Sequence, residues 1–309
     1  MSQDQARAGG RGAPSSSVDL AGDARRSRRR RVLREVLLVV ALYAGYSATR
    51  LAATGAWEPA ARHAAWIVDV ERWMGLDVER SWNLWLAHHG WLEVAVSYWY
   101  QSMHYLVTPT VLVVLFIRRP LVYAPARTAL MSATFLALFG YFFVPTAPPR
   151  LLPGYVDTVS EASVHGWWPS VAEQAANGAS SVTNQVAAMP SMHVGWALWV
   201  SLVLATVARG RLLKVLSFGY VGLTTVVVVV TANHWVLDAV AGAALVLVTW
   251  FVSFRRYGWW ASRKAERAEL GALTPVPDVP VEAAPPVALT HAVDAAAVRR
   301  AGGDDTAPA

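Results

Sequence analysis

Residues 189–199 read MPSMHVGWALW, and this stretch sets a serine and a histidine at the start of an apolar run. Such a run predicts a helix that enters a lipid bilayer. Pro190 and Ser191 precede it in the way that an N-cap does. His193 then stands in the first turn, where free backbone amides and the positive end of the helix dipole favour an anion. A histidine that only hydrogen-bonds a loop is the alternative, so its role depends on the rest of the chain.

The composition of the whole chain is typical of a polytopic membrane protein. Of its 309 residues, 55% are hydrophobic and 16% are charged, with a mean hydropathy of +0.33. The formal net charge of +6 could indicate nucleic acid binding, but the arginines cluster beside apolar segments, where they fix membrane topology. We therefore expect no nucleic acid partner. The absence of cysteine excludes thiol catalysis, disulfides and zinc–thiolate sites.

Several apolar segments are long enough, or nearly so, to cross a hydrocarbon core of about 30 Å as helices. We place six of them near 33–53, 92–116, 124–144, 192–208, 212–231 and 235–254. The predicted fold class is all-α, a bundle of about six transmembrane helices with interfacial helices on the extracytoplasmic side. We predict a disordered basic cytoplasmic tail over 1–31, a membrane-embedded domain over 32–255 and a mostly disordered Ala/Pro-rich cytoplasmic tail over 256–309.

Basic residues mark alternate connections between these segments. They occur in RRSRRRR (25–31), RRP (118–120), RGRLLK (209–214) and RRYGWWASRK (255–264). By the positive-inside rule these ends are cytoplasmic. We therefore predict a multi-pass plasma membrane protein with both termini in the cytoplasm and with 54–91, 145–191 and 231–234 outside. The first segment lies far from residue 1, so we expect an uncleaved anchor instead of a signal peptide.

Residues 57–91 are rich in tryptophan among charged residues. The tryptophans are Trp57, Trp66, Trp73, Trp82, Trp85 and Trp91. Tryptophan prefers the bilayer interface, so we interpret this segment as short helices lying on the outer surface. Interfacial anchoring without chemistry is the simplest interpretation, and a lid or an acceptor-binding role is the alternative.

A second chemical stretch, VPTAPPRLLP (144–153), follows the third predicted span. Its prolines cannot continue a helix, so they stiffen the exit from the membrane and direct Arg150. A guanidinium at the surface suits phosphate, which it can bind through two parallel hydrogen bonds. The alternative role of Arg150 is that of an anchor or a lipid headgroup contact.

The third stretch, TANHWVLDAVAGAAL (231–245), opens the last predicted span. His234 and Asp238 are four residues apart, so we expect them on one helical face with the acid one turn deeper. An acid at that depth is costly unless it is paired. A carboxylate that accepts the proton of one ring nitrogen leaves the other nitrogen free to attack. A purely structural pair is the alternative, and Gly242 in the next turn would let another helix approach closely.

The three stretches together bring one arginine, two histidines and one aspartate to the same face of the membrane. An arginine binds an oxyanion, a paired histidine is a nucleophile and a second histidine is a general acid, which are the groups that phosphoryl transfer needs. A metal phosphatase would need several carboxylates and a zinc site three or four close ligands, so we expect no metal and no other cofactor. His104, inside the second predicted span, either lines the substrate cavity or makes a structural hydrogen bond.

At these residues the sequence resembles the type 2 phosphatidic acid phosphatase superfamily of membrane-embedded lipid phosphatases and phosphotransferases, over roughly 33–255. PTAPPR, AAMPSMH (187–193) and HWVLD look most like the branch that contains inositol-phosphorylceramide synthases and their bacterial relatives. The second family motif, Pro-Ser-x-His, matches residues 190–193, and the third, His-x-x-x-Asp, matches residues 234–238. The resemblance implies that His234 forms a phosphohistidine, Asp238 orients it, and His193 protonates the leaving alcohol without a metal.

The sequence departs from the family pattern at two places. The first motif normally has a lysine seven positions before its Arg-Pro, and here only Arg150 can stand in. The arginine that normally precedes the third-motif histidine by six residues is Val228. Phosphate binding would then be shared among Arg150, Asn184, Ser191, Asn233 and backbone amides. Members of the synthase branch also lack parts of these motifs, which favours that branch.

The predicted function is that of an integral membrane lipid phosphatase or phosphotransferase. Its donor is a lipid phosphate or phosphodiester from the surrounding membrane, and its acceptor is water or an alcohol such as inositol. Both acceptors use the same phosphohistidine, so both stay open. The alternative class is a non-catalytic lipid-binding or scaffolding membrane protein of the same fold.

Overall fold

A computed structural model of the protein describes three continuous stretches, residues 32–41, 57–170 and 186–260. It also describes the isolated positions 26, 29–30, 44–45, 48, 172–173 and 262–263. The chain divides into two units after Trp260, and every helix whose bounds are given below belongs to the first unit. These stretches are mainly helical, and no β-strand occurs in them.

Besides the helical stretch 32–41 and two short 3₁₀ helices (Pro149–Leu151 and Ala162–His165), the described part of the first unit contains eight α-helices. They are α1 (Trp57–Met74), α2 (Glu79–Ala87), α3 (Gly90–Arg118), α4 (Pro120–Phe143), α5 (Thr158–Glu161), α6 (Met192–Val207), α7 (Arg211–Val230) and α8 (Val236–Arg256). Helices α3, α4, α7 and α8 are long and apolar enough to cross a membrane, and α6 is a shorter apolar helix. The protein is therefore an all-α polytopic membrane protein, as the hydropathy predicted.

Five of the six predicted spans correspond to these helices. The first, predicted over 33–53, is helical at 32–41, and most of its remainder falls outside the described residues. The fourth, predicted over 192–208, is the shortest of the five, since α6 has 16 residues and so measures about 24 Å at 1.5 Å per residue. Its N-cap is Ser191, whose amide donates to the carbonyl of Asp238 (2.9 Å), so α6 begins level with the first turn of α8.

The long helices form an antiparallel bundle. Only Arg119 separates α3 from α4, and three residues separate α6 from α7, so each of these pairs turns at one end of the bundle. At the other end, the segment after α4 pairs with the segment before α6 through a bridge between Thr146 and Ala187. The basic residues at the ends of the helices therefore share one end of the bundle, opposite the sequence motifs: Arg118, Arg119, Arg209, Arg211, Arg255 and Arg256.

Helix α8 packs against α4 and α6. The face of α4 toward the core carries alanines at helical spacing, which are Ala126, Ala129, Ala133 and Ala137, and all are buried. The close approach predicted at Gly242 is confirmed, because a Cβ at this position would overlap the backbone carbonyl of Ser191. Small residues thus bring the N-terminal turns of α6 and α8 into direct contact.

Helices α1 and α2 contact the end of the bundle that carries the motifs. The buried residues of α1 follow a helical spacing and end in a carboxylate: Ala60, Ala64, Ile67 and Glu71. The tryptophans of residues 57–91 are exposed, from 41% for Trp82 to 86% for Trp73. The tryptophan-rich segment therefore forms α1 and α2, each with one face against the bundle and a tryptophan-bearing face away from it, while Trp91 lies at the start of the long helix α3.

Candidate active site

Backbone hydrogen bonds bring the three motif-bearing stretches together. The amide of Thr146 donates to the carbonyl of Val186 (2.7 Å), and its own carbonyl accepts the amide of Ala188 (3.1 Å). The amide of Arg150 donates to the carbonyl of Ala232 (2.8 Å) in the loop between α7 and α8. The stretches around residues 150, 190 and 234 therefore lie side by side at one end of the bundle.

His234 lies in the loop before α8, which corrects the expectation that it shares a helical face with Asp238. Helix α8 begins only at Val236, because Oδ2 of Asp238 accepts the amide of Trp235 (2.9 Å) and caps the helix there. Nδ1 of His234 is 2.9 Å from the carbonyl of Ala188 and 3.5 Å from Oδ2 of Asp238. A carbonyl oxygen only accepts, so Nδ1 is the donor, and in the neutral imidazole Nε2 then keeps a free lone pair.

His193 faces this lone pair from the first turn of α6. Its Nδ1 is 3.4 Å from Nε2 of His234. The imidazole of His193 stacks on Tyr100 of α3, with ring centroids 4.4 Å apart, and meets the ring of His104 edge-on at the same separation. The two histidines that the sequence singled out are thus direct neighbours, and α3 fixes the orientation of one of them.

Arg150 lies beside the histidine pair and is held by two acceptors. Its Nη1 donates to Oδ1 of Asn233 (2.7 Å), and its Nε lies 3.5 Å from Oδ2 of Asp157. Asp157 also caps the short helix α5 by accepting the amide of Ser160 (3.0 Å). The guanidinium is therefore oriented before any ligand arrives, with a side chain that is only 18% exposed.

A cavity of about 580 Å³ connects these side chains, within the size range of small-molecule sites. The predicted site residues on its wall are Arg150, Asn233, His193, His234 and His104. The remainder of the wall is mainly apolar and is formed by α3, α4 and α6. The structure thus joins a polar, cationic end to an apolar space between membrane helices.

Two other predicted site residues, Ser191 and Asp238, do not line this cavity. Ser191 and Asp238 are fully buried behind its wall. The Ser191 hydroxyl and Oδ1 of Asp238 have no hydrogen-bond partner among the described residues. Asn184 lies outside the described residues, so its part in phosphate binding stays a prediction.

The sequence did not predict two buried glutamates behind His234. Oε1 of Glu79 accepts the amide of Val236 (2.9 Å), and Oε1 of Glu71 accepts the amide of Leu237 (2.7 Å). Burial raises the pKa of Glu71 to about 9, against the lowering effect of the Leu237 amide, and the charge of Glu79 adds to the rise. The sequence signal that could have identified Glu71 is its helical spacing from the apolar residues on the buried face of α1.

The position that carries arginine in the family pattern belongs to the apolar core here. Val228 is fully buried and packs with Val194, Val229 and Ala239. Its carbonyl accepts the amides of Asn233 and His234, each at 3.1 Å. Among the described residues, no group of three or more His, Asp or Glu side chains could hold a metal ion.

The bundle and its cavity define an integral membrane protein with a histidine-based site at the end of an apolar space. A family model described as the PAP2 superfamily matches residues 65–252, and the chain belongs to this superfamily. Membership indicates an enzyme of the lipid phosphatase type, so the superfamily predicted from the motifs is confirmed. No curated protein and no solved structure matched the chain.

Proposed function

We propose that this protein transfers the phosphoryl or phospho-alcohol group of a membrane lipid through a phosphohistidine on His234. One observation carries the proposal. Nε2 of His234 is the ring nitrogen that does not face the carbonyl of Ala188, and it lies 3.4 Å from Nδ1 of His193 on the wall of a cavity that also contains Arg150. A nucleophile, a proton donor and an anion-binding group thus share one wall.

In the first step, Nε2 of His234 attacks phosphorus and the bond from phosphorus to the lipid oxygen breaks. Protonated His193 gives its proton to the departing oxygen, which leaves as an alcohol. Arg150 binds the non-bridging phosphate oxygens and stabilises their charge in the transition state. The two imidazole nitrogens are neighbours in the structure, so a bound phosphate has to separate them.

In the second step, water or an alcohol attacks the phosphohistidine and the bond from phosphorus to nitrogen breaks. Neutral His193 takes the proton of the incoming hydroxyl, and His234 returns to its starting state. Asp238, at 3.5 Å from Nδ1, offsets the positive charge that the phosphorylated imidazole carries. Transfer to an alcohol such as inositol is the activity of the synthase branch, which the valine at position 228 and the missing first-motif lysine favour.

The reaction takes place at the extracytoplasmic face of the plasma membrane in this proposal. The basic residues at the ends of the helices occupy the end of the bundle opposite the site. The positive-inside rule assigns that basic end to the cytoplasm. Substrate then reaches the site from the outer leaflet.

Reconstitution tests the proposal directly. The purified protein is incubated with lipid phosphates and phosphoinositides, with and without inositol, and the products are identified by mass spectrometry. Free phosphate identifies a phosphatase and a new phosphodiester identifies a transferase, and both reactions should survive exhaustive chelation. His234→Ala should abolish product, whereas His165→Ala, at an exposed histidine away from the cavity, should not. Wild-type protein that binds these lipids without any turnover would favour the non-catalytic alternative.

A further inference from the structure

The apolar part of the cavity runs along two membrane helices for about the depth of one leaflet. On α3 its wall extends from Tyr100 to Leu112, and on α4 from Tyr141 to Leu130. At 1.5 Å per residue these stretches measure about 18 Å and about 16 Å. Half of a hydrocarbon core is about 15 Å thick. The cavity therefore reaches from the polar site to approximately the bilayer midplane.

A partly buried ion pair, which we call the floor, lies one helical turn beyond the last residues of α4 and of segment 32–41 that line the cavity. Nη1 of Arg127, on α4, lies 2.9 Å from Oε1 of Glu35 in the helical segment 32–41. Arg127 stands one helical turn beyond Leu130, and Glu35 stands one turn beyond Val39, and both of these apolar residues line the cavity. A hydrocarbon chain that went deeper would separate or desolvate this pair, which is costly.

Aromatic packing between α3 and α4 also lies beyond the far end of the cavity. The rings of Phe116 and Tyr123 meet edge-on, with centroids 5.1 Å apart, below the level of Leu112. Tyr105, in contrast, lines the cavity and is 61% exposed, so the cavity opens through the side of α3. The cavity thus has a lateral opening, a polar end and an apolar end.

We propose that this cavity holds the hydrocarbon chain of the substrate beside its reacting phosphate, and that the Arg127–Glu35 floor limits the chain length. The inference rests on the proposed function for the identity of the polar end. It names the substrate class more closely: a lipid phosphate whose chain lies inside the protein and does not extend past one leaflet. Leu112 and Met131 line the lower wall above this floor, so the size of their side chains changes the depth that a chain can reach.

Photocrosslinking tests where the chain lies and needs no turnover. Hexadecyl phosphate that carries a diazirine at the end of its chain is bound to the full-length protein in detergent. The complex is irradiated, and the crosslinked residues are identified by mass spectrometry. Crosslinks at Leu112, Leu130 or Met131, removed by excess unlabelled hexadecyl phosphate, are the expected result. Crosslinks only at bilayer-facing positions such as Leu136, which is 46% exposed, would overturn the inference.

Chain-length selectivity tests the floor. Met131→Trp fills the lower cavity, and we expect it to lower the ratio of kcat/KM for hexadecyl phosphate to that for octyl phosphate at least tenfold. Leu136→Trp is the matched control, because it adds the same ring to the outer surface of α4 and should leave the ratio unchanged. Leu112→Ala, which deepens the cavity, should shift the ratio the opposite way.

The results separate this inference from the proposed function. An equal loss on both alkyl phosphates in Met131→Trp, with no shift in Leu112→Ala, would overturn the chain-length limit while the phosphatase proposal stands. A wild-type protein without activity on these alkyl phosphates and on the lipid phosphates and phosphoinositides of the reconstitution would overturn the proposed function, and the crosslinks would still show where the chain lies.

Discussion

Glu71 on α1 accepts the backbone amide of Leu237 at 2.7 Å, three residues after His234 in the chain. The neighbouring amide, that of Val236, goes to Glu79 of α2, and the amide before it, that of Trp235, goes to Asp238. Three carboxyl groups therefore hold three successive amides at the start of α8, where helix donors otherwise lack partners. The loop that carries His234 is fixed from the side of the tryptophan-rich helices.

The raised pKa of Glu71 predicts a loss of stability with rising pH. Burial raises this pKa from 4.5 to about 9, so the folded protein keeps a proton at Glu71 that the unfolded chain releases. Stability from this group is complete below pH 4.5, falls as pH rises through the window to about 9, and is constant above it. The groups that face Glu71 are Glu79, Asp238 and Tyr155.

Glu71→Gln is the variant that isolates this effect, because its amide oxygen can still accept from Leu237 but cannot ionise. Thermal unfolding in detergent, measured from pH 5 to 9, should show the wild-type Tm falling relative to that of Glu71→Gln. Parallel curves over this range would show that Glu71 does not hold its proton in the folded protein.

Gly242 is the point of closest approach between α6 and α8, and alanine there should disrupt the site. The added Cβ would overlap the carbonyl of Ser191, two residues before His193. Overpacking of this kind costs about 1–3 kcal/mol. Gly219→Ala is a suitable control, because a Cβ at this position of α7 meets nothing within 4 Å. We expect a lower Tm and lower activity only for Gly242→Ala, and equal behaviour of the two variants would contradict the packing.

Hydropathy and charge were sufficient to predict the membrane bundle and the common location of the motifs. Along the sequence, basic connections alternate with connections that carry the motifs. This alternation predicts that the basic ends of the helices lie together on one side and the motifs on the other. The start of α8 could not be predicted from the four-residue spacing of His234 and Asp238. That spacing fits a helix, but the bond from the Trp235 amide to Asp238 starts the helix after His234.

The partners of His234 and of the buried glutamates are tertiary contacts. Nδ1 of His234 is bonded to a backbone carbonyl 46 residues earlier in the chain, in a segment without regular structure. Glu71 bonds an amide 166 residues away. The helical pattern of α1 predicts that Glu71 faces inward, but it does not predict that the amide of Leu237 is its hydrogen-bond donor.

The topology prediction uses the absence of cysteine in the chain. A single cysteine at Val164, which is 81% exposed on the side of the site, should react with a membrane-impermeant maleimide on intact cells. A single cysteine at Gly210, at the basic end of the bundle, should react only after the cells are lysed. The reverse pattern would place the site in the cytoplasm and the proposed outer-leaflet reaction would fail.

The assigned roles of the two histidines imply different sensitivities to the leaving group. A nucleophile is needed whatever departs, so His234→Ala should destroy turnover of every substrate, and Asp238→Asn should lose less by mispositioning the imidazole. A general acid matters only when the leaving oxygen needs a proton. Alkyl alcohols leave as strongly basic alkoxides, so His193→Ala should lose about 10²–10⁴-fold in rate on lipid substrates.

An aryl phosphate with an acidic phenol largely escapes this need for a proton. On such a substrate His193→Ala should recover much of the first step, while His234→Ala stays inactive. Regeneration would still limit steady-state turnover, because His193 also serves as the base for the incoming water or alcohol. The quantity to measure is therefore the burst of released phenol. Equal loss of this burst in the two alanine variants, or a larger loss in His193→Ala, would show that the nucleophile and the acid are assigned wrongly.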